Sequence, residues 1–162
     1  MWDSGETELK KIAIGSDHVG IHLKEAIRLD LENTGHEVVD HGVHSTASAN
    51  YPDIAEIVGK AVTQGKAECG ILICGTGVGV CIAANKVSGV RAVVCSEPYS
   101  ARMSRAHNDT NVLALGSRVI GGELAQMIVD NWLATDFEGG RHTKRVQMIQ
   151  QLEEDPIPSS ID

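Results

Sequence analysis

Four clusters in this 162-residue chain carry side chains able to move protons or hold an anion. The first is Cys74-Gly75-Thr76-Gly77-Val78-Gly79. A glycine run leading into a helix presents backbone N–H groups and the positive end of the helix dipole. These suit either a phosphate or an oxyanion formed during reaction. A tight turn without a ligand uses the same composition. As a dinucleotide fingerprint the run fits poorly, because Val80 stands where G-x-G-x-x-G requires Gly or Ala, although Glu97 lies where a ribose-binding acid is expected. Cys74 has two readings as well. It is either a small buried hydrophobe at a strand end, or a thiolate favoured by a helix N-terminus and usable as a base or nucleophile.

Asp17-His18 and His107-Asn108 form the second and third clusters. Both also suit ordinary helix ends, with Asp17 as a cap. Chemically, a His can pass a proton to a sugar oxygen near neutral pH, and an Asn can donate to a carbonyl. The fourth cluster is residues 139–145 (GGRHTKR), where Arg141 and Arg145 stand four apart at the start of a predicted helix. Their guanidinium groups leave one face and can grip one phosphate. Such pairs are commonly just a solvated face. Two cations at a helix start nevertheless oppose its dipole, and an anionic ligand reconciles them. Gly116-Ser117-Arg118 supplies one more cation.

Alternating strands and helices must hold these groups. Short β-branched runs at residues 11–16 (KIAIGS), 36–40 (HEVVD), 69–74 (CGILIC), 90–95 and 111–115 read as strands. Between them lie segments of helical period. One places Leu23, Ala26, Ile27 and Leu31 on one face and stops at Gly35. A second opens at Tyr51-Pro52-Asp53 with Ile54, Ile57, Val58 and Ala61 inward. A third runs from the glycine run through Lys86, and a fourth covers residues 97–106. Two more follow strand five, one clustering Met127, Ile128 and Trp132 and the other spanning residues 141–154. This order predicts an α/β fold, a single-domain Rossmann-like α/β/α sandwich with a five-stranded parallel sheet. The domain is expected over residues 10–155, with loose ends at 1–9 and 156–162. Ligands of such sheets bind at the carboxyl ends of the strands. Asp17-His18, the glycine run and Arg118 follow strands one, three and five; His107-Asn108, before strand five, are expected to converge on the rim that carries Cys74.

Composition narrows the partners. Fourteen Lys+Arg against 22 Asp+Glu leave a formal charge of −8, and a pI near 5.3 disfavours general nucleic-acid binding, which needs a basic face. Five aromatic residues give little material for stacking bases. The apolar runs fall far short of the roughly 20 residues of a membrane span, and residues 1–11 lack the apolar segment of a signal peptide. None of the four cysteines forms a CxxC pair. Reduced thiols in a cytoplasmic protein are therefore expected, with Cys69, Cys81 and Cys95 as packing residues and no zinc site.

Taken together, Asp17-His18-Val19-Gly20, the run ILICGTGVG at 71–79, AANK at 83–86, CSEPYS at 95–100, HNDTN at 107–111 and Gly139-Gly140-Arg141 resemble ribose-5-phosphate isomerase type B, over about residues 10–152. The resemblance implies an aldose–ketose isomerase acting on ribose 5-phosphate through an enediolate, as a homodimer and without metal or cofactor. It implies Cys74 as general base, His107 as ring-opening acid, and Gly75, Thr76, Gly77, Val78 and Gly79 as the enediolate-stabilising loop, Thr76 counting among the catalytic residues. Asp17 and Asn108 become sugar contacts, and His18, Arg118, Arg141 and Arg145 meet the phosphate. Some members place a Glu base after the glycine run; here that position is Val80, so the Cys variant is implied. Two alternatives stand beside this reading. One is an isomerase of a hexose 6-phosphate such as allose or galactose 6-phosphate, for which the loop GVHSTASAN at 42–50 is the place to look. The other is a non-catalytic sugar-phosphate-binding module, which the intact acid/base set opposes. Pairing of dimers into tetramers, and which subunit supplies each Arg, are not legible in the residues.

Overall fold

The computed structural model describes residues 8–154. The expected loose ends fall almost wholly outside the described residues. The elements run β1 (Lys11–Ser16), α1 (Ile21–Asn33), β2 (Glu37–Asp40), α2 (Tyr51–Thr63), β3 (Cys69–Cys74), α3 (Val78–Ala84), β4 (Ala92–Val94), α4 (Pro98–Asn108), β5 (Val112–Gly116), α5 (Gly122–Leu133) and α6 (Arg141–Glu154). The five strands pair in parallel in the order β2-β1-β3-β5-β4. Each strand rises into a helix that returns antiparallel across a face of the sheet, the arrangement that alternating strand and helix signals require.

Strand side chains alternate between two apolar layers. Ile12, Ile14, Ile71, Ile73, Leu113 and Leu115 pack against α1 and α5 around Trp132, while Ala13, Leu72, Cys74, Val112 and Ala114 pack against α2 and α3. β3 is buried at every position, as a central strand covered on both faces must be. Three residues expected inward face out instead: Ala26 is exposed, and Ile57 and Met127 are 45% and 55% exposed. Each lies at the margin of its apolar stripe, where helical period alone does not mark the boundary. Conversely, Lys24 is fully buried: its ammonium donates to both carboxylate oxygens of Asp40, at 2.9 and 2.8 Å, and to the Val43 carbonyl at 2.9 Å.

The chain order of the strands creates a switch point. β1 leads outward to β2 on one side, whereas β3 lies on its other side. A crevice therefore opens between the carboxyl ends of β1 and β3. Two glycines allow the backbone to close there. Gly77 adopts a φ of 78° against the Leu115 carbonyl, and a Cβ on Gly116 would sit 2.6 Å from the Thr76 oxygen.

Candidate active site

The crevice is lined by the ends of β1, β3 and β5. Cys74 ends β3, buried, and its Sγ accepts a hydrogen bond from the Gly77 N–H at 3.1 Å. That donor lies where negative charge on the sulfur would be met. Thr76 is exposed at the crest of the turn, and its Oγ1 accepts from the Val78 N–H at 3.3 Å, shaping the step into α3. Val80 is fully buried in the apolar layer below.

Asp17 and His18 sit beside this turn, since the Asp17 N–H donates to the Ile73 carbonyl at 3.2 Å. Asp17 Oδ1 accepts from Val19 and Gly20 N–H groups at 2.9 and 3.1 Å, so the capping role is realised while Oδ2 is not used by that turn. His18 Nδ1 accepts from the Ala49 N–H at 3.3 Å, which places the hydrogen of the neutral ring on Nε2. This bond also ties the loop at 42–50 to the crevice. From the β5 side, Arg118 lies over Gly75, its Cδ 3.7 Å from where a Cβ on that glycine would stand. Ser117 Oγ donates at 3.2 Å to the carbonyls of Val19 and Cys74, joining three strand ends.

His107 and Asn108 are not on this rim, contrary to expectation. They end α4, which returns antiparallel to the strands, so they lie where β5 begins. Register shows the consequence: Val112 pairs with Gly70, whereas Cys74 pairs with Gly116. Four residues of strand, about 13 Å, separate the two levels. Within one chain His107 and Cys74 therefore stand at opposite edges of the sheet. The expected ring-opening acid and general base cannot meet around one small substrate.

Arg141 and Arg145 accompany His107 instead. The Glu138 N–H donates to the Ala106 carbonyl at 3.0 Å, which brings residues 136–140 against the last turn of α4 and starts α6 beside it. Both arginines are exposed on the first turns of α6, which carry no acidic residue to balance the dipole. Two residues that the sequence reading did not single out belong here. The His142 ring stacks on His107, centroids 4.2 Å apart and planes within 10°. Glu138 Oε2 lies 3.8 Å from His107 Nε2 and 3.9 Å from His142 Nε2. The i,i+4 spacing of Glu138 and His142, next to Arg141, was their signal.

These three side chains offer ligand atoms within 4.8 Å of one another, and two His with one Glu is a known zinc set. The orientation is wrong for it. Near-parallel rings send their lone pairs side by side, so an ion in the plane of one ring lies well out of the plane of the other. Elsewhere, a cleft of about 440 Å³ between α6 and β4 has Asn108 on its wall but lies away from Cys74. The crevice, with its thiol, glycine turn and Asp17-His18, offers acid/base groups that this mostly apolar cleft does not. Glu97, the candidate ribose acid, is engaged as the α4 cap, accepting from Tyr99 and Ser100 N–H groups. Cys69, Cys81 and Cys95 are buried free thiols, and burial pushes Cys69 and Cys95 up to about 12.

A parallel α/β sheet with a thiol over a glycine turn at its switch point, and a separate His and Arg cluster at the opposite edge, defines an enzyme of small anionic substrates. The chain belongs to the Ribose/Galactose Isomerase family, whose model matches residues 12–149. Ribose-5-phosphate isomerase B of Escherichia coli is 59% identical over 146 residues, covering 90% of this chain and 98% of that protein. The ribose-5-phosphate isomerase B structure from Clostridium thermocellum superposes with a TM-score of 0.88 at 54% identity, covering 89% of this chain and 97% of that one. The Mycoplasma genitalium ribose-5-phosphate isomerase B, solved with bound ribulose-5-phosphate, matches with a TM-score of 0.87 at 42% identity, over 90% of this chain and 97% of that one.

Proposed function

We infer that this protein is an aldose–ketose isomerase interconverting D-ribose 5-phosphate and D-ribulose 5-phosphate, and that its working site lies between two copies of the chain. The carrying observation is the division of the acid/base set between opposite edges of one sheet. A symmetric dimer that lays the His107 edge of one copy over the Cys74 edge of the other completes two equivalent sites. Exposed apolar side chains border both edges, Val78 and Ile82 beside the glycine turn and Met148, Ile149 and Leu152 along α6. Exposed apolar side chains beside both half-sites suit an association surface.

The reaction then divides between the half-sites. The partner's His107 delivers a proton to the ring oxygen as the O1 proton leaves, which opens the furanose to the aldehyde. Cys74 thiolate takes the C2 proton, and charge moves onto O1 to give a cis-enediolate held by N–H groups of the turn at Gly75, Thr76, Gly77, Val78 and Gly79. The same sulfur returns the proton to C1, and the O2 proton passes to O1 as the ketone forms. Asp17 and the partner's Asn108 hold sugar hydroxyls. His18 and Arg118 from one copy meet the phosphate together with the partner's Arg141 and Arg145, so that remote binding orients C1 and C2. The four reduced cysteines suit work in the cytoplasm.

The test is formation of ribulose 5-phosphate from ribose 5-phosphate by the purified protein in EDTA, with Cys74→Ala alongside. Turnover by the parent and its loss in a folded variant support the reading. Turnover only of a hexose 6-phosphate would reassign the substrate, and normal turnover by Cys74→Ala would overturn the base assignment.

A further inference from the structure

His107 does not stand alone at its edge of the sheet. Its ring lies flat against that of His142, which is buried and whose main-chain N–H donates to the Gly139 carbonyl at 3.0 Å. The Glu138 carboxylate is placed almost equally from the two Nε2 atoms, at 3.8 and 3.9 Å. Its backbone is pinned to Ala106, the residue before His107. The three groups thus come from two segments held in register by main-chain bonds, and their spacing follows from the fold.

We propose that Glu138 and His142 are positioning residues for His107, His142 fixing the plane of its imidazole and Glu138 keeping the one proton of the pair on it. This rests on His107 being the ring-opening group. Two imidazolium rings stacked at this distance repel, and a single carboxylate balances only one of them, so the pair titrates as a unit that holds one proton. The rest of the cluster decides which ring carries it. His142 is held below the ordinary His value by burial, with His107, Arg141 and Arg145 acting in the same sense and Glu138 opposing. Arg141 Nε also donates toward His142 Nε2 at 3.4 Å, a bond that only a neutral ring can accept. Arg105 on α4 and Asp109, the residue that caps it, are engaged with each other, with Thr110 and Thr135, and with Arg91. The proton therefore resides on the more exposed ring, His107, which faces outward toward a substrate held against another copy.

Glu138 is exposed, so Glu138→Gln leaves packing intact while removing the balancing charge. The imidazole of His107, followed by ¹⁵N NMR, is expected to lose its proton at lower pH in this variant. The kcat/KM for ribose 5-phosphate should fall about threefold at pH 8 with little change at pH 6, the scale of a partly exposed ion pair. Ribulose 5-phosphate supplies the control: its O5 carries phosphate, so it cannot close a furanose and needs no ring opening. Exchange of its C1 hydrogen for deuterium should continue at the parent rate. His142→Ala should slow ribose 5-phosphate turnover at all pH values, and His142→Phe, which keeps a flat ring under His107, should restore most of it. An unmoved His107 titration in Glu138→Gln, a loss that is equal at both pH values, or equal defects in the two His142 variants would overturn the proposal. Failure of the underlying reading looks different: His107→Asn would then turn over ribose 5-phosphate like the parent.

Discussion

Mixing two inactive variants reads out the division of the site directly. Cys74→Ala removes the proposed base from one edge of the sheet, and His107→Asn removes the proposed acid from the other, about 13 Å away along β3 and β5. Each homodimer is expected to be inactive toward ribose 5-phosphate. Equal amounts exchanged into random dimers give about half mixed dimers, each with one site holding both native residues and one holding neither. Half of the sites in half of the dimers predicts about one quarter of parent activity, measured as the initial rate of ribulose 5-phosphate formation after co-expression with two different tags. The geometry also orders the other variants. Arg141→Ala shares an edge with His107, so it should be complemented by Cys74→Ala and not by His107→Asn. Arg118→Ala, over Gly75, should behave in the opposite way. Mixed dimers as inactive as their parents would refute the split site, because a site within one chain leaves every copy defective.

Three further outcomes follow from single groups. Arg141→Ala removes a charge-assisted bond to phosphate of about 1.5–3 kcal/mol, so KM for ribose 5-phosphate should rise at least tenfold while that for unphosphorylated ribose stays unchanged; equal effects would reject a phosphate role. Lys24→Met leaves the half-buried Asp40 carboxylate without its ammonium partner and should cost about 1–3 kcal/mol, seen as a lower Tm, with Asp40→Asn in the same chain recovering part of it. Burial would push the Asp40 carboxyl up, but hydrogen bonds from Lys24 and the Gly42 N–H outweigh it and hold the group below the usual carboxylate range. The pair's stabilisation is therefore complete above about pH 4 and is lost as pH falls through the folded value, and an acid-unfolding midpoint identical in parent and double variant would contradict this. At pH 8 native Cys69 and Cys95 should resist alkylation, as burial holds both near 12, while Cys74 is modified and ribulose 5-phosphate protects it; peptide mass spectrometry of the labelled protein checks this.

Sequence period was enough to place every element because strand and helix signals differ so sharply here. CGILIC has no polar break and became the central strand, while Gly35 and Gly77, both at positive φ, close turns where the pattern changes. Errors fell where a local signal depends on a distant neighbour. β4 is shorter than its apolar run, residues 90–95, because the Arg91 N–H donates to the Asn111 side chain instead of joining the ladder. Lys24 reads as a surface residue until Asp40, sixteen positions on, comes to meet it. For the site, residues after β1, β3 and β5 were placed correctly by the rule for parallel sheets. His107-Asn108 were not, because they precede a strand, and a residue preceding a parallel strand lies at its amino end. The motif string named its residues without saying whether one copy of the chain could bring them together.

That geometry has a consequence for binding energy. Arg118 and His18 approach from the edge that carries Cys74, whereas Arg141 and Arg145 stand at the edge that carries His107. If one phosphate is met by both sets, the anion is a bridge between copies as well as an anchor for the sugar. The net charge of −8 per chain makes two copies repel at long range. In the proposed dimer the two sets of cations would face one another with the same sign, and a bound phosphate would neutralise them where they converge. Ligand binding and dimer stability are then linked by mass action: a sugar phosphate that binds only the assembled site tightens the dimer by the same factor by which dimerisation tightens the ligand. In the proposed dimer the catalytic groups would gain from this arrangement, because each half is held by rigid strand and helix ends. Only the placement of one half against the other depends on the ligand, and the phosphate, lying farthest from the reacting carbons, can set it without disturbing the base or its turn.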